Sequence, residues 1–237
     1  MRLQPFTHDV WFAEDDLWMA GIIHFPIRMV VVRLPDGGLW LHSPIAIDDA
    51  LAGELAGLGP VRHLVAPSKM HHLFMADAVA RYPDAEVHLA PGLAHKCKNL
   101  RADATLGESD EFEGVFDQVL VDGSAQFNEV VFLHRASKTL VCTDLVFNIR
   151  EPRGWMTKLV LRMAGAHKRL AQSKLWRMVT KDRDAVRRSV ETVLAWDFER
   201  VVMAHGTPLE GADTKARLAS ALYWMRGVTP PALPVAA

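Results

Sequence analysis

Two apolar runs, MVVVRL at 29–34 and LWLH at 39–42, flank the tetrad Pro35-Asp36-Gly37-Gly38. A turn of that composition between strand-like stretches specifies an antiparallel hairpin, so an all-helical bundle is excluded. A second pair, EVVFLH at 129–134 and TLVCT at 139–143, is joined by the short polar turn RASK and reads as another hairpin. Between the two the pattern changes period. Residues 46–57 read as an amphipathic helix and HLVA at 63–66 as a short strand. HHLFMADAVARY at 71–82 reads as a helix stopped by Pro83, and EVHLA at 86–90 as a strand closed by Pro91-Gly92. VWFAE at 10–14 and DQVLV at 117–121 are further strands. From 155 to about 196 the text is helical. VVMAH at 201–205 is a last strand, a helix covers about 212–225, and 228–237 is a loose tail. Hairpins require antiparallel pairs, whereas strand–helix–strand units require parallel ones. The order therefore predicts two mixed sheets packed together with helices outside, in a single domain over residues 1–227.

Half of the 237 residues are hydrophobic and 23% are charged, enough to bury a sizeable core. With 27 basic and 28 acidic residues the formal net charge is −1, which gives no chain-wide attraction to nucleic acid or to an anionic membrane. Two cysteines, Cys97 and Cys142, exclude a disulfide scaffold and a multi-cysteine zinc cage. The start MRLQPFTHDV carries no apolar signal core, and no apolar run approaches the roughly 18 residues of a membrane span. A soluble cytoplasmic protein with no membrane span and no nucleic-acid partner is expected.

Three places set metal-capable side chains just after an apolar strand. HLVAPSKMHH ends in His71 and His72, TLVCTDLVFN places Asp144 after its strand, and RVVMAHG places His205 before Gly206. Strand ends hold a backbone still while a side chain points into a cleft. Imidazole and carboxylate together suit zinc, iron or manganese. Singly, each has an ordinary use: a helix start, a turn, a hydrogen bond. Their common placement needs one explanation.

In these segments the chain resembles the metallo-β-lactamase superfamily, and within it a divergent branch of unknown function. The resemblance covers nearly the whole chain and implies an αββα four-layer sandwich. It also implies a site at the sandwich edge, usually with two metals, that hydrolyses ester, lactone, lactam, thioester or phosphoester bonds. The superfamily signature is Thr-His-x-His-x-Asp-His after a strand. Here Pro67 and Lys69 stand at the paired histidines, His71 at the Asp and His72 at the closing His. Ala125 stands at the middle His, and His42 and Ser43 where an early Asp is expected. Asp144 matches the bridging Asp and His205 the last His. Three of the first metal's four ligands are thus lost. The second metal's four positions keep ligand-type side chains: His71, His72, Asp144 and His205. The resemblance then implies one divalent metal, zinc first, with iron or manganese as alternatives. The Lys69 ammonium would replace the other cation's charge beside Asp144.

Such a site implies hydrolysis of an ester, lactone or phosphoester by metal-activated water. Asp144 would orient or deprotonate the water, and Lys69 or the metal would stabilise an oxyanion. His24, in the loop GIIHFPIR, is the expected substrate contact. Glu129 and His134 have no role beyond their sheet. Residues 153–181 hold eight Lys or Arg and no Asp or Glu, and form a basic helical insertion. The resemblance makes that insertion a cap over the site or a homodimer contact, and its charge favours an anionic small-molecule substrate. The alternative is a catalytically degenerate member acting as a binding or interaction protein, signalled by the broken motif. An iron-bound oxidoreductase is the third reading.

Overall fold

In a computed structural model, which describes residues 2–107 and 112–229, the apolar runs pair into two sheets. The first follows chain order: β1 Leu3–Thr7, β2 Val10–Met19, β3 Ile23–Arg33, β4 Leu39–His42, β5 Val61–Ala66, β6 Glu86–Leu89 and β7 Ala104–Thr105. β1 to β4 are joined by turns and pair antiparallel. β4 to β7 pair parallel, because helices α1 Asp49–Ala56, α2 Met75–Arg81 and α3 Leu93–Lys96 carry the chain back between them. The second sheet has β8 Phe116–Leu120, β9 Val130–His134, β10 Thr139–Cys142, β11 Arg200–Met203 and β12 Leu209–Glu210, in the order β12-β11-β10-β9-β8. Only β10 and β11 are parallel in it, and the long connection between them holds α4 Trp155–Ala164, α5 Lys174–Val179 and α6 Arg183–Ala195. Helix α7 Thr214–Ala221 follows β12.

Alternation divides each strand between two cores. Val30 and Val32 of β3 join Trp40, Val65, Phe116, Phe132, Val141 and Val202 between the sheets. Ile27, Met29 and Val31 face the other way, onto Leu51 and Leu55 of α1 and Met75 of α2. On the far side, Val131, Leu140 and Val201 pack under Val186, Val190 and Val193 of α6 and Leu218 of α7. The layers run helix, sheet, sheet, helix, as an αββα sandwich with two mixed sheets. Trp40, wholly buried, sits between them with its ring centroid 4.5 Å from Phe116 and 5.1 Å from Phe132. Truncating such a ring to Ala costs about 3–5 kcal/mol.

Several expectations are corrected. The helix expected over 71–82 begins at Met75. The Ser68 hydroxyl accepts from the backbone N–H groups of Met70 and His71, and holds 68–71 in a turn instead. The strand expected at 10–14 continues to Met19, and β2 pairs with β3 through Met19↔Ile23. His24 therefore lies in β3 opposite Trp18, not in a loop. The helical stretch from 155 is three helices, since Gly165 (φ 74°) ends α4 while Ser173 and Asp182 cap α5 and α6. β1, β7, β12 and α3 are additional. The tail expected at 228–237 falls largely outside the described residues. Among these, no helix is long and apolar enough to cross a membrane.

Candidate metal centre

Parallel pairing of β10 with β11 matches Cys142 to Met203, so Asp144 and His205 leave the second sheet at one edge. The first sheet delivers His71 there, in the turn after β5. His71 Nε2 lies 3.4 Å from Asp144 Oδ2, and His205 Nε2 lies 3.4 Å from Asp144 Oδ1. The donor atoms of the trio all lie within 4.8 Å of one another. All three side chains are nearly buried.

The outer nitrogens are already engaged. His205 Nδ1 donates to the Pro26 carbonyl at 2.7 Å, which turns Nε2 toward Asp144. The Ser43 hydroxyl is hydrogen-bonded to His71 Nδ1 at 2.8 Å, which turns that ring the same way. Phe147 stacks flat on the His205 ring, 5.0 Å between centroids. Gly206 (φ 96°) is required next, because a Cβ there would lie 2.3 Å from the Asn148 backbone. The buried Arg28 donates to the Gly206 carbonyl at 2.6 Å and to the Met203 carbonyl, and pairs with Glu14.

Asp144 is held from two sides. Glu129, fully buried, accepts from the Thr143 N–H at 2.6 Å and from the Asp144 N–H at 3.1 Å. Trp176 Nε1 of α5 donates to the Asp144 carbonyl at 3.0 Å. Burial pushes the Asp144 carboxyl up, but His71 and His205 outweigh it and hold the group below the usual carboxylate range. Burial and the Asp144 charge raise Glu129 to about 7, against the Thr143 hydrogen bond. Sequence reasoning gave Glu129 no task. Its one signal is a carboxylate immediately before four consecutive apolar residues, Val130 to Leu133.

The other expected residues stand apart from the trio. His72 lines the same cleft, but its Nδ1 lies 3.6 Å from Cys97 Sγ. Lys69 crosses Gly92, where a Cβ would sit 2.9 Å from its Nζ, and donates to the Ala125 carbonyl at 2.9 Å. It forms no ion pair with Asp144. His24 is buried, bonded through Nε2 to Asp16 at 2.8 Å, and its backbone N–H donates to Thr157 Oγ1 at 2.8 Å. It ties α4 to β3 and does not line the cleft.

Two imidazoles and a carboxylate are a sound donor set for zinc, iron or manganese, and three protein ligands leave a coordination position open. The trio opens onto a cleft of about 700 Å³. Its walls are apolar: Leu17, Trp18 and Phe25 from the first hairpin, Phe74 and Phe127, and Val160 and Leu175 from α4 and α5. The basic segment thus forms one wall, and among the described residues no Lys or Arg lines the cleft.

A family described as a domain of unknown function, DUF4336, matches residues 8–175. No curated protein sequence matches the chain. Solved structures share the fold. The DIM-1 metallo-β-lactamase exposed to ceftazidime superposes with a TM-score of 0.65 at 15% identity, over 93% of this chain and 95% of that one. The metallo-β-lactamase from Pontibacter korlensis gives 0.62 at 15% identity, over 94% and 98%. The metallo-β-lactamase FIM-1 from Pseudomonas aeruginosa, in its mono-zinc form, gives 0.62 at 13%, over 94% and 95%. At these identities the likeness establishes the metallo-β-lactamase fold alone.

Proposed function

The chain belongs to the DUF4336 family, and on that premise we propose that it is a metal-dependent hydrolase with one divalent ion at the sandwich edge. The observation that carries this reading is the meeting of His71 and His205, through Nε2, on the two oxygens of Asp144. With His72 held against Cys97, the proposed ligand set is His71, Asp144 and His205. Zinc is the first choice, with iron or manganese next. The mono-zinc form of FIM-1 supports a single-ion site on this fold.

A divalent ion at this point lowers the pKa of a water toward roughly 7 and polarises a carbonyl or phosphoryl oxygen. The chain's own part is to hold the donors and the substrate. Ser43 and the Pro26 carbonyl keep both Nε2 atoms inward. Asp144 would hold the ion together with His71 and His205 and would orient a water beside it. Lys69, bonded through Nζ to the Ala125 carbonyl and through its backbone N–H to the Phe127 carbonyl, fixes the turn that carries His71 against the 124–127 loop. The apolar walls exclude bulk water and seat an apolar group beside the reacting bond. A lining without Lys or Arg favours an uncharged ester or lactone over a phosphoester.

Asp144→Asn and His205→Ala, each shown to be folded by circular dichroism, are expected to lower ester or lactone hydrolysis at least about 100-fold. Full activity in both would refute the assignment. Pro67, Lys69 and Ala125, at the lost ligand positions, favour the second reading, a degenerate member that binds and does not turn over. Zinc-loaded protein inert toward esters, lactones and phosphodiesters alike would establish it.

A further inference from the structure

At the opposite ends of β5 and β6, away from the cleft, other metal-ligating side chains converge. His63 of β5 stands opposite Glu86 of β6, and Val65 stands opposite His88. Alternation puts Glu86 and His88 on one face of β6, and the register brings His63 beside them on that face. His63 Nδ1 lies 3.1 Å from His88 Nε2. Glu86 Oε2 lies 3.6 Å from His63 Nδ1 and 3.8 Å from His88 Nε2. The circle through three atoms so spaced has a radius of about 2.0 Å, which is a zinc–nitrogen or zinc–oxygen bond length.

The surroundings suit an ion. Phe112 packs against both imidazoles, with centroids 5.2 Å from His63 and 5.0 Å from His88, and so fixes the ring planes. His88 is 1% exposed, whereas the Glu86 side chain is 56% exposed. The group therefore has a dry floor at His88 and a solvent-facing carboxylate at Glu86.

We infer that His63, Glu86 and His88 form a second metal site, separate from the cleft, which takes a zinc-class divalent ion through Nδ1, Oε2 and Nε2. Without the ion, one imidazole donates to the other across the 3.1 Å contact. On binding, the ion takes that hydrogen's place and the donor ring changes tautomer, with no net proton lost. The ion ties β5 to β6 at their N-terminal ends, so it stabilises the folded sheet.

The test is zinc bound per chain after incubation with zinc chloride and gel filtration of the full chain at neutral pH. The wild type is expected to keep two zinc ions. His71→Ala/His205→Ala and His63→Ala/Glu86→Ala are each expected to keep one, and the combined variant none. Zinc is also expected to raise the melting temperature of His71→Ala/His205→Ala by several degrees. Adding Glu86→Ala, with folding checked by circular dichroism, is expected to abolish that rise. A zinc count unchanged by His63→Ala/Glu86→Ala, or a melting temperature still raised after Glu86→Ala, would overturn the inference. A count unchanged by His71→Ala/His205→Ala but lowered by His63→Ala/Glu86→Ala would overturn the cleft reading and uphold this site.

Discussion

A histidine offers a metal whichever nitrogen its neighbours leave free, so the residues behind the trio matter as much as the trio. Ser43 engages His71 Nδ1, and the Pro26 carbonyl engages His205 Nδ1. Ser43→Ala removes one restraint and leaves the ligands intact. It is expected to weaken zinc binding at the cleft roughly 10–100-fold, with unchanged circular dichroism. Titration in the His63→Ala/Glu86→Ala background isolates that site, and an unchanged affinity would remove Ser43 from the design. This scale is also where the sequence was least legible. His71 and His72 are adjacent and chemically identical, and only the turn fixed by the Ser68 hydroxyl sends one to Asp144 and the other to Cys97. No pattern of residue types carries that choice. Asp144 and His205 were readable because each follows an apolar strand directly.

At the scale of elements, strands with strong alternation and turn signals were legible to within a residue or two. LWLH at 39–42 is β4 as expected. The departures have physical causes. Asp15 and Asp16 break the apolar pattern after the expected strand at 10–14, yet pairing with β3 carries β2 on to Met19. That extension places Leu17 and Trp18 on the cleft and makes His24 an anchor for α4. The connection from β11 into β12 is the most constrained of the site's supports. Gly206→Ala puts a methyl group 2.3 Å from the Asn148 backbone at φ 96°. It is expected to cost about 2 kcal/mol or more and to displace His205. A lowered urea midpoint, together with weaker zinc binding at the cleft than in the wild type, checks both effects.

For the whole molecule, the groups buried between the layers set the response to pH. His42 is stacked on Trp40 at 5.2 Å and edge-on to Phe132 of the opposite sheet at 5.8 Å. Burial, reinforced by His71, lowers it to about 3. The unfolded chain protonates this residue near pH 6.5 and the folded chain does so only near 3, so its contribution to stability falls with pH between those values. One such proton is worth about 1.4 kcal/mol per pH unit. Glu129, raised to about 7, works in the opposite sense, because its contribution is lost as pH rises through 7. His42→Phe in chelator-treated protein is expected to flatten the fall in urea midpoint from pH 6.5 to 4.5. Parallel curves for the two proteins would contradict this assignment.

The trio spans the two layers: His71 belongs to the first sheet, Asp144 and His205 to the second, and Arg28 of the first clasps the carbonyls beside His205. A chain with either layer unformed, or with the layers slipped by one residue, brings no such donors together. Capture of an ion at the cleft therefore reports completed docking, and during refolding it should arrive with the last cooperative step rather than with the first hairpin.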